Sequence, residues 1–537
     1  MTQTWTWRLG ATFSLTCLAI SMAQAQSKPT VHLSVGDLAG VMQDGVAQFR
    51  GIPYAAPPVG ALRWVAPQPA QAWSGLRDAS QFGSACPQVP DPFGSPSLAT
   101  SEDCLSLNVY VPTGSASGPR PVIVWIPGGG QVLGAGSQYD ASRLAQTAQA
   151  VVVTMNYRLG ALGWLWTSGM VAENKGHNFS VQDQQEAMRW VKRHIGAFNG
   201  DTSRITMAGE SVGSISASLH LVSPTAAGLF HRVILASGIN PPGLLTSAKA
   251  AEFGDAFAVK VGCPAGPEQM SCLRGKTPDA LLQVSPDYTA IGRDGLYWQN
   301  FIDGEMITGD VFAALSKGAF NKVPLMLGTT KDEGRGFVPV SFDLDGSPMT
   351  QDEYVAAATK FIGSGQSLLT GLMYPSSKLG SPALAWSQAV TDGWFACQAN
   401  EVARRASGQV PTFAYEFADR TAPEFLRDPY MASGAFHAGD LLYWFQTPIA
   451  GAPLTLNPAQ KRLSDQMMRY WKRFAESGQP NEAGSADPVW PQYNWLTTPY
   501  LTLVPDAITS QQWGAFQRAH QCTAWSLLYS LRSLGAV

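Results

Sequence analysis

Uninterrupted apolar runs of strand length recur along the chain, at Pro121–Ile126, Ala150–Tyr157, Ile205–Ala208, His231–Gly238 and Val323–Thr330. Runs without alternation predict strands buried on both faces of a parallel sheet. Between them, Asp183–Phe198 carries Ala187, Trp190, Val191, His194 and Ile195 on one stripe, which predicts an amphipathic helix. Strands alternating with helices predict an α/β chain with a large, twisted, mostly parallel sheet and function at the carboxyl ends of its strands. Before this region, Val31 to Phe49 is broken at Gly36-Asp37 and Asp44-Gly45 and predicts a small antiparallel meander. The proline-rich Phe49–Trp64 predicts rigid, irregular coil, and Ser101–Pro112 alternates as a strand.

The first 25 residues have a different pattern. A short segment bearing Arg8 precedes apolar Leu9–Ile20, and Ala23-Gln24-Ala25 follows as a small-x-small cleavage site. Residues 1–25 therefore read as a cleaved signal peptide, and 26–537 as a single domain that is secreted or periplasmic. The apolar run is too short to span a bilayer, and no lipid or membrane anchor is expected. Without Arg8, 35 basic and 39 acidic residues give a formal charge of −4, and no basic patch points to nucleic acid. Six cysteines remain: Cys86, Cys104, Cys263, Cys272, Cys397 and Cys522. An even number in an exported chain implies disulfides, with fifteen connectivities open. Cys86 with Cys104 and Cys263 with Cys272 are the local solutions, leaving Cys397 with Cys522. No C-x-x-C and no histidine pair at i, i+4 offers a metal site, and no cofactor motif is present.

Chemistry enters at Gly209-Glu210-Ser211-Val212-Gly213, which lies between the run Ile205–Ala208 and a stretch of small, helix-compatible residues. In a strand-turn-helix setting, G-x-S-x-G puts the serine on a strained turn that a Cβ at Gly209 or Gly213 would crowd. Pro127-Gly128-Gly129-Gly130 ends another buried run, and glycines there free backbone N–H groups for an oxyanion. A serine also needs a base. Of the histidines after Ser211, His220 falls on the helix leaving the turn, His231 at the wrong end of its strand and His520 in the terminal helical stretch. His437, on a loop of small residues, is left. For the acid, Asp332 and Glu333 both lie just past the strand Val323–Thr330, and spacing does not separate them.

These residues resemble the type B carboxylesterases, the α/β-hydrolases that include cholinesterases and bacterial carboxylesterases. The matching stretches are Phe49–Trp64, Ser101–Pro112, Val124–Gly136, Asn156–Gly163, Asp183–Phe198, the Ser211 turn, Asp303-Gly304, Lys331–Gly334, Gly434–Phe445, Tyr470–Ala475 and Gln479–Asn481. The resemblance implies an α/β-hydrolase fold with helical insertions around the active site. It implies a Ser211–Glu333–His437 triad, with Glu333 rather than Asp332 as the acid. Gly129, Gly130 and Val212 would supply the oxyanion hole, with Glu210, Gly209 and Gly213 supporting the turn. The three disulfides named above and an Arg63–Glu102 ion pair are implied likewise. The implied activity is hydrolysis of a small-molecule or natural-product ester through an acyl-enzyme, without cofactor or metal, by a monomer or homodimer.

One departure is Pro127, where the family commonly has histidine or an aromatic before the glycines. A catalytically inactive binding protein of this fold is disfavoured because all three triad positions are filled. A cholinesterase proper is disfavoured because Phe93 is the one aromatic between Cys86 and Cys104. Substrate pockets are expected from Tyr288–Phe301, Gly336–Tyr354 and Thr421–Phe436. Arg293, Arg335 and Arg420 could meet an acidic substrate, but each reads first as an ordinary surface charge, and Asn178-Phe179-Ser180 matches a glycosylation sequon that a bacterial-looking leader leaves without an expected use.

Overall fold

The apolar runs come together as the expected sheet. The computed structural model describes residues 1–2, 28–91, 97–114, 117–240, 243–284, 298–343, 346–362, 367–425, 427–446 and 455–533. Residues 3–25 of the leader, Phe93 and Arg293 lie outside the described residues. Among those described, an eleven-stranded sheet runs in the order Thr509–Gln511, Tyr500–Leu503, Thr412–Phe417, Leu325–Thr330, Arg232–Ala236, Gly200–Glu210, Arg120–Ile126, Val151–Met155, Ser106–Pro112, Val46–Pro53 and Val41–Gln43. Pairing is parallel from Tyr500–Leu503 across to Val151–Met155 and antiparallel at both margins. Every residue of Arg120–Ile126, Val151–Met155, Leu325–Thr330 and Thr412–Phe417 is buried, as strands covered by helices on both faces require. Register brings the loops to one level: Ile126 pairs with Gly209, and Ala236 with both Glu210 and Gly328.

Several elements differ from the expectation. The N-terminal meander splits: Thr30–Leu33 and Gly36–Ala39 pair antiparallel and add Leu76–Asp78 in parallel, so the small sheet is mixed. Val41–Gln43 and Val46–Pro53 instead join the large sheet, so part of the proline-rich coil is strand. The strand expected from Ser101 begins at Ser106. The residues before it are committed elsewhere, Cys104 to a disulfide with Cys86 and Glu102 to Arg63 at 2.7 Å. The amphipathic helix spans Phe179–His194 with a 3-10 turn at Ile195–Phe198, and its predicted stripe is buried. It starts early enough to bury Asp183 against the Arg158 guanidinium at 2.7 Å.

Further disulfides join Cys263 to Cys272 and Cys397 to Cys522. Asn178 is buried, and its amide donates to the Phe301 carbonyl at 3.0 Å and to Asp303 at 2.8 Å. The sequon therefore presents no free amide for a glycan in the folded chain. No helix among the described residues is long and apolar enough to cross a membrane.

Candidate active site

The strand Gly200–Glu210 delivers Ser211, and the helix Val212–Val222 begins immediately after it. Ser211 sits at φ 56°, ψ −126°, a strained conformation for a non-glycine residue. Its N–H donates to the Ala236 carbonyl at 2.9 Å, which holds the turn to the neighbouring strand. A Cβ on Gly209 would collide with the Gly213 backbone, and one on Gly213 with the Ile126 carbonyl, so both glycines are required by packing. The glycine loop lies against this turn: an added Cβ on Gly128 would stand 3.1 Å from the Ser211 Cβ. Gly129 and Gly130 adopt φ of 115° and 62°. The Gly129 carbonyl accepts from Val132 and Leu133, while no acceptor for the N–H of Gly129 or Gly130 is found among the described residues. Val212 opens its helix, so its N–H has no intrahelical acceptor. The Tyr157 hydroxyl donates to the Pro127 carbonyl at 2.6 Å and anchors the loop despite the proline.

The turn after Leu325–Thr330 separates the two acids that spacing left together. Glu333 accepts the Thr330 N–H at 2.7 Å with one oxygen, and its other oxygen is 2.6 Å from His437 Nδ1. Asp332 instead ties down the histidine loop. Its carboxylate accepts the Ala435 N–H at 3.0 Å, its own N–H donates to the Ala435 carbonyl at 2.9 Å, and Arg420 grips it with two contacts of 2.8 Å. The rings of Phe337 and Phe395 flank the imidazole at 4.7 and 5.0 Å between centroids. His437 Nε2 lies 3.2 Å from Glu210, the residue preceding Ser211.

Residues 27–525 match the model of the Carboxylesterase family. The chain belongs to that family. It is 33% identical to the cocaine esterase of Oryctolagus cuniculus over 86% of this chain and 88% of the relative. It is 34% identical to the para-nitrobenzyl esterase of Bacillus subtilis (strain 168) over 88% and 94%. A solved thermophilic PNB esterase superposes with a TM-score of 0.79 at 30% identity, covering 92% of this chain and 99% of that one. The α/β-hydrolase fold and a carboxylic ester hydrolase activity follow from family membership.

Within this carboxylesterase, the histidines set aside by position have other partners. His220 is buried against Gln184 at 2.9 Å, the His231 ring accepts the Ile205 N–H, and His520 is buried between Asp392 and Glu416. Arg335 and Arg420 do not stand ready for an acidic substrate: both pair with Asp332, and Arg335 also donates to the Ala432 carbonyl. Among the described residues no group of three or more His, Cys, Asp or Glu is arranged to hold a metal ion.

Two further features have no motif in the sequence, the rings of Phe337 and Phe395 and the Thr391 hydroxyl that accepts the Gly334 N–H at 2.9 Å, while the buried acid Asp440 lies in the matching stretch Gly434–Phe445 without a role assigned to it there. Charge in the site is tightly balanced. Burial, with the nearby Asp440 and Glu333 carboxylates, pushes Glu210 up to about 8 against the pull of His437. Burial also opposes the His437 cation, but the Glu210 and Glu333 charges outweigh it and raise the imidazole to about 9. Burial chiefly raises Asp440 to about 6. Burial keeps Glu210 protonated at neutral pH, beside an imidazole that is itself held protonated up to about 9.

Proposed function

We propose that this carboxylesterase cleaves small-molecule carboxylic esters by a Ser211–His437–Glu333 mechanism through an acyl-enzyme. His437 Nε2 takes the Ser211 proton as Oγ attacks the ester carbonyl carbon. Glu333 holds Nδ1–H, which fixes the tautomer and stabilises the imidazolium that forms. The N–H groups of Gly129, Gly130 and Val212 receive the oxyanion, each worth about 3 kcal/mol of transition-state stabilisation. His437 then gives its proton to the departing alcohol, and a water repeats the cycle on the acyl-enzyme. The observation that carries this reading is the 2.6 Å contact between Glu333 and His437, placed so that the other ring nitrogen faces the Ser211 turn at Glu210. The names of the relatives make p-nitrobenzyl esters a natural first panel, with p-nitrophenyl acetate as a reference ester.

Ser211→Ala tests it. Turnover of these esters is expected to fall to the level left by binding and oxyanion donors, with the melting temperature unchanged. A covalent organophosphate probe is expected to label the wild type at Ser211 only. Full activity in a folded Ser211→Ala protein would remove the serine mechanism.

A further inference from the structure

A six-residue π-helix, Thr391–Ala396, interrupts what would otherwise be one helix from Pro382 to Ala406. Such turns are uncommon and cluster at functional sites. One side of it meets the catalytic acid and base. Thr391 Oγ1 accepts the Gly334 N–H at 2.9 Å and donates to the Ser387 carbonyl at 2.8 Å, holding the turn that contains Glu333. Phe395 packs on the His437 ring and stacks on Phe337.

The other side is gripped by the C-terminal segment. Asp392 lies 2.6 Å from His520 Nδ1 and also accepts from the Tyr374 hydroxyl at 2.8 Å and the Gln388 amide at 2.7 Å. His520 Nε2 lies 2.8 Å from Glu416, on the strand that pairs with the one leading to Glu333. The second Glu416 oxygen is 3.4 Å from Lys331 Nζ, in the same turn as Glu333. The Tyr529 hydroxyl donates to the Gly393 carbonyl at 2.6 Å, and the Trp525 indole occupies the space a Cβ on Gly393 would need. Both residues lie on the helix Cys522–Ser533, which the disulfide to Cys397 anchors.

An imidazole with a buried carboxylate on each nitrogen donates from both and is a cation. Burial disfavours that cation, but its hydrogen bonds to the Asp392 and Glu416 carboxylates prevail and raise His520 to about 9. Replacing a whole buried ionic cluster with apolar side chains is often neutral or stabilising, whereas removing one partner leaves an uncompensated buried charge. Through His520 the π-helix residue Asp392 is tied to Glu416 on the strand Thr412–Phe417, and Thr391 and Phe395 lie on the same π-helix.

We propose that His520 is a positioning residue for ester hydrolysis, bridging Asp392 and Glu416 so that the π-helix Thr391–Ala396 holds Glu333 and His437 in their reacting geometry. This rests on the reading of those two residues as acid and base. Misplacement of a reacting group by a fraction of an ångström lowers turnover without touching the substrate.

The test compares His520→Ala, His520→Gln, Thr391→Val and the His520→Gln/Thr391→Val double variant in the full chain with p-nitrophenyl acetate. His520→Ala is expected to lower kcat about tenfold while KM stays within about twofold. His520→Gln, whose amide still donates to one carboxylate, is expected to recover part of that loss. Thr391→Val, nearly isosteric, is expected to lower kcat at least about threefold, and the double variant less than the product of the singles. If His520→Ala does not fold, the other variants decide. Values of kcat within about twofold of wild type for both His520→Gln and Thr391→Val would overturn the proposal, whatever their melting temperatures. So would a rise in KM at constant kcat. Ser211→Ala, assayed alongside, separates this outcome from failure of the serine mechanism itself.

Discussion

Glu210→Gln is the perturbation whose outcome follows most directly from the charge arrangement. The Glu210 carboxylate lies 3.2 Å from His437 Nε2. At an effective dielectric constant of about 20, a full charge at that distance favours the imidazolium by about 5 kcal/mol, or between about 3 and 4 pKa units. That is a ceiling, because Glu210 is itself pushed up to about 8 and is mostly neutral below that pH. Above it, Glu210 ionises and holds the proton on His437 up to about 9. The sign is set by the role proposed for the imidazole: a base acts only when neutral, so an acid that raises its pKa delays activity to higher pH. The amide of the Glu210→Gln variant carries no charge, and the acid limb of kcat/KM is expected to move to lower pH by about one unit or more. The assay is kcat/KM for p-nitrophenyl acetate from about pH 5 to about pH 10, with Ser211→Ala supplying the blank for spontaneous hydrolysis. A limb that stays in place, or moves to higher pH, would show that Glu210 does not set the proton affinity of the base.

Glu333→Gln keeps the shape of the 2.6 Å contact but removes its charge and lets the imidazole take the wrong tautomer. Loss of kcat by about 10³- to 10⁴-fold is expected, with circular dichroism unchanged; a loss under tenfold would exclude Glu333 as the acid. Gly129→Ala places a Cβ at φ 115° against the Leu133 carbonyl, so the loop must move. A fall of about 10²- to 10³-fold in kcat with intact Ser211 labelling is expected, and wild-type turnover would remove Gly129 from the oxyanion hole. The Cys397–Cys522 bond closes a separation of 125 residues. Replacing both with serine is expected to destabilise the chain by about 3 to 5 kcal/mol in denaturant titration, and an unchanged midpoint would show that the link contributes nothing.

What the sequence discloses about this site depends on how far apart the cooperating atoms lie along the chain. The Ser211 turn is legible because its residue types lie together in five positions, although only Gly209 is crowded locally, by the Gly213 backbone, while Gly213 is crowded by Ile126 from the neighbouring strand. His437 is legible by exclusion, since a buried helix face, the amino end of a strand and the terminal helix each remove one alternative. Asp332 and Glu333 are not separable that way. They differ by one position at a strand end, and only the three-dimensional path of the loop at Ala435 decides that one clamps backbone while the other meets the ring. The π-helix is harder still, because its six residues carry no periodicity distinct from the α-helices that flank it. His520 contacts partners 128 and 104 positions away, and spacing holds no trace of a pairing that the sheet and the C-terminal segment create by folding. The proposed nucleophile is therefore marked by a short motif, whereas the contacts around Glu333 and His437 are distributed over strand, π-helix and C-terminus. Substitutions remote from Ser211 in sequence are accordingly expected to act on kcat through the placement of the proposed acid and base.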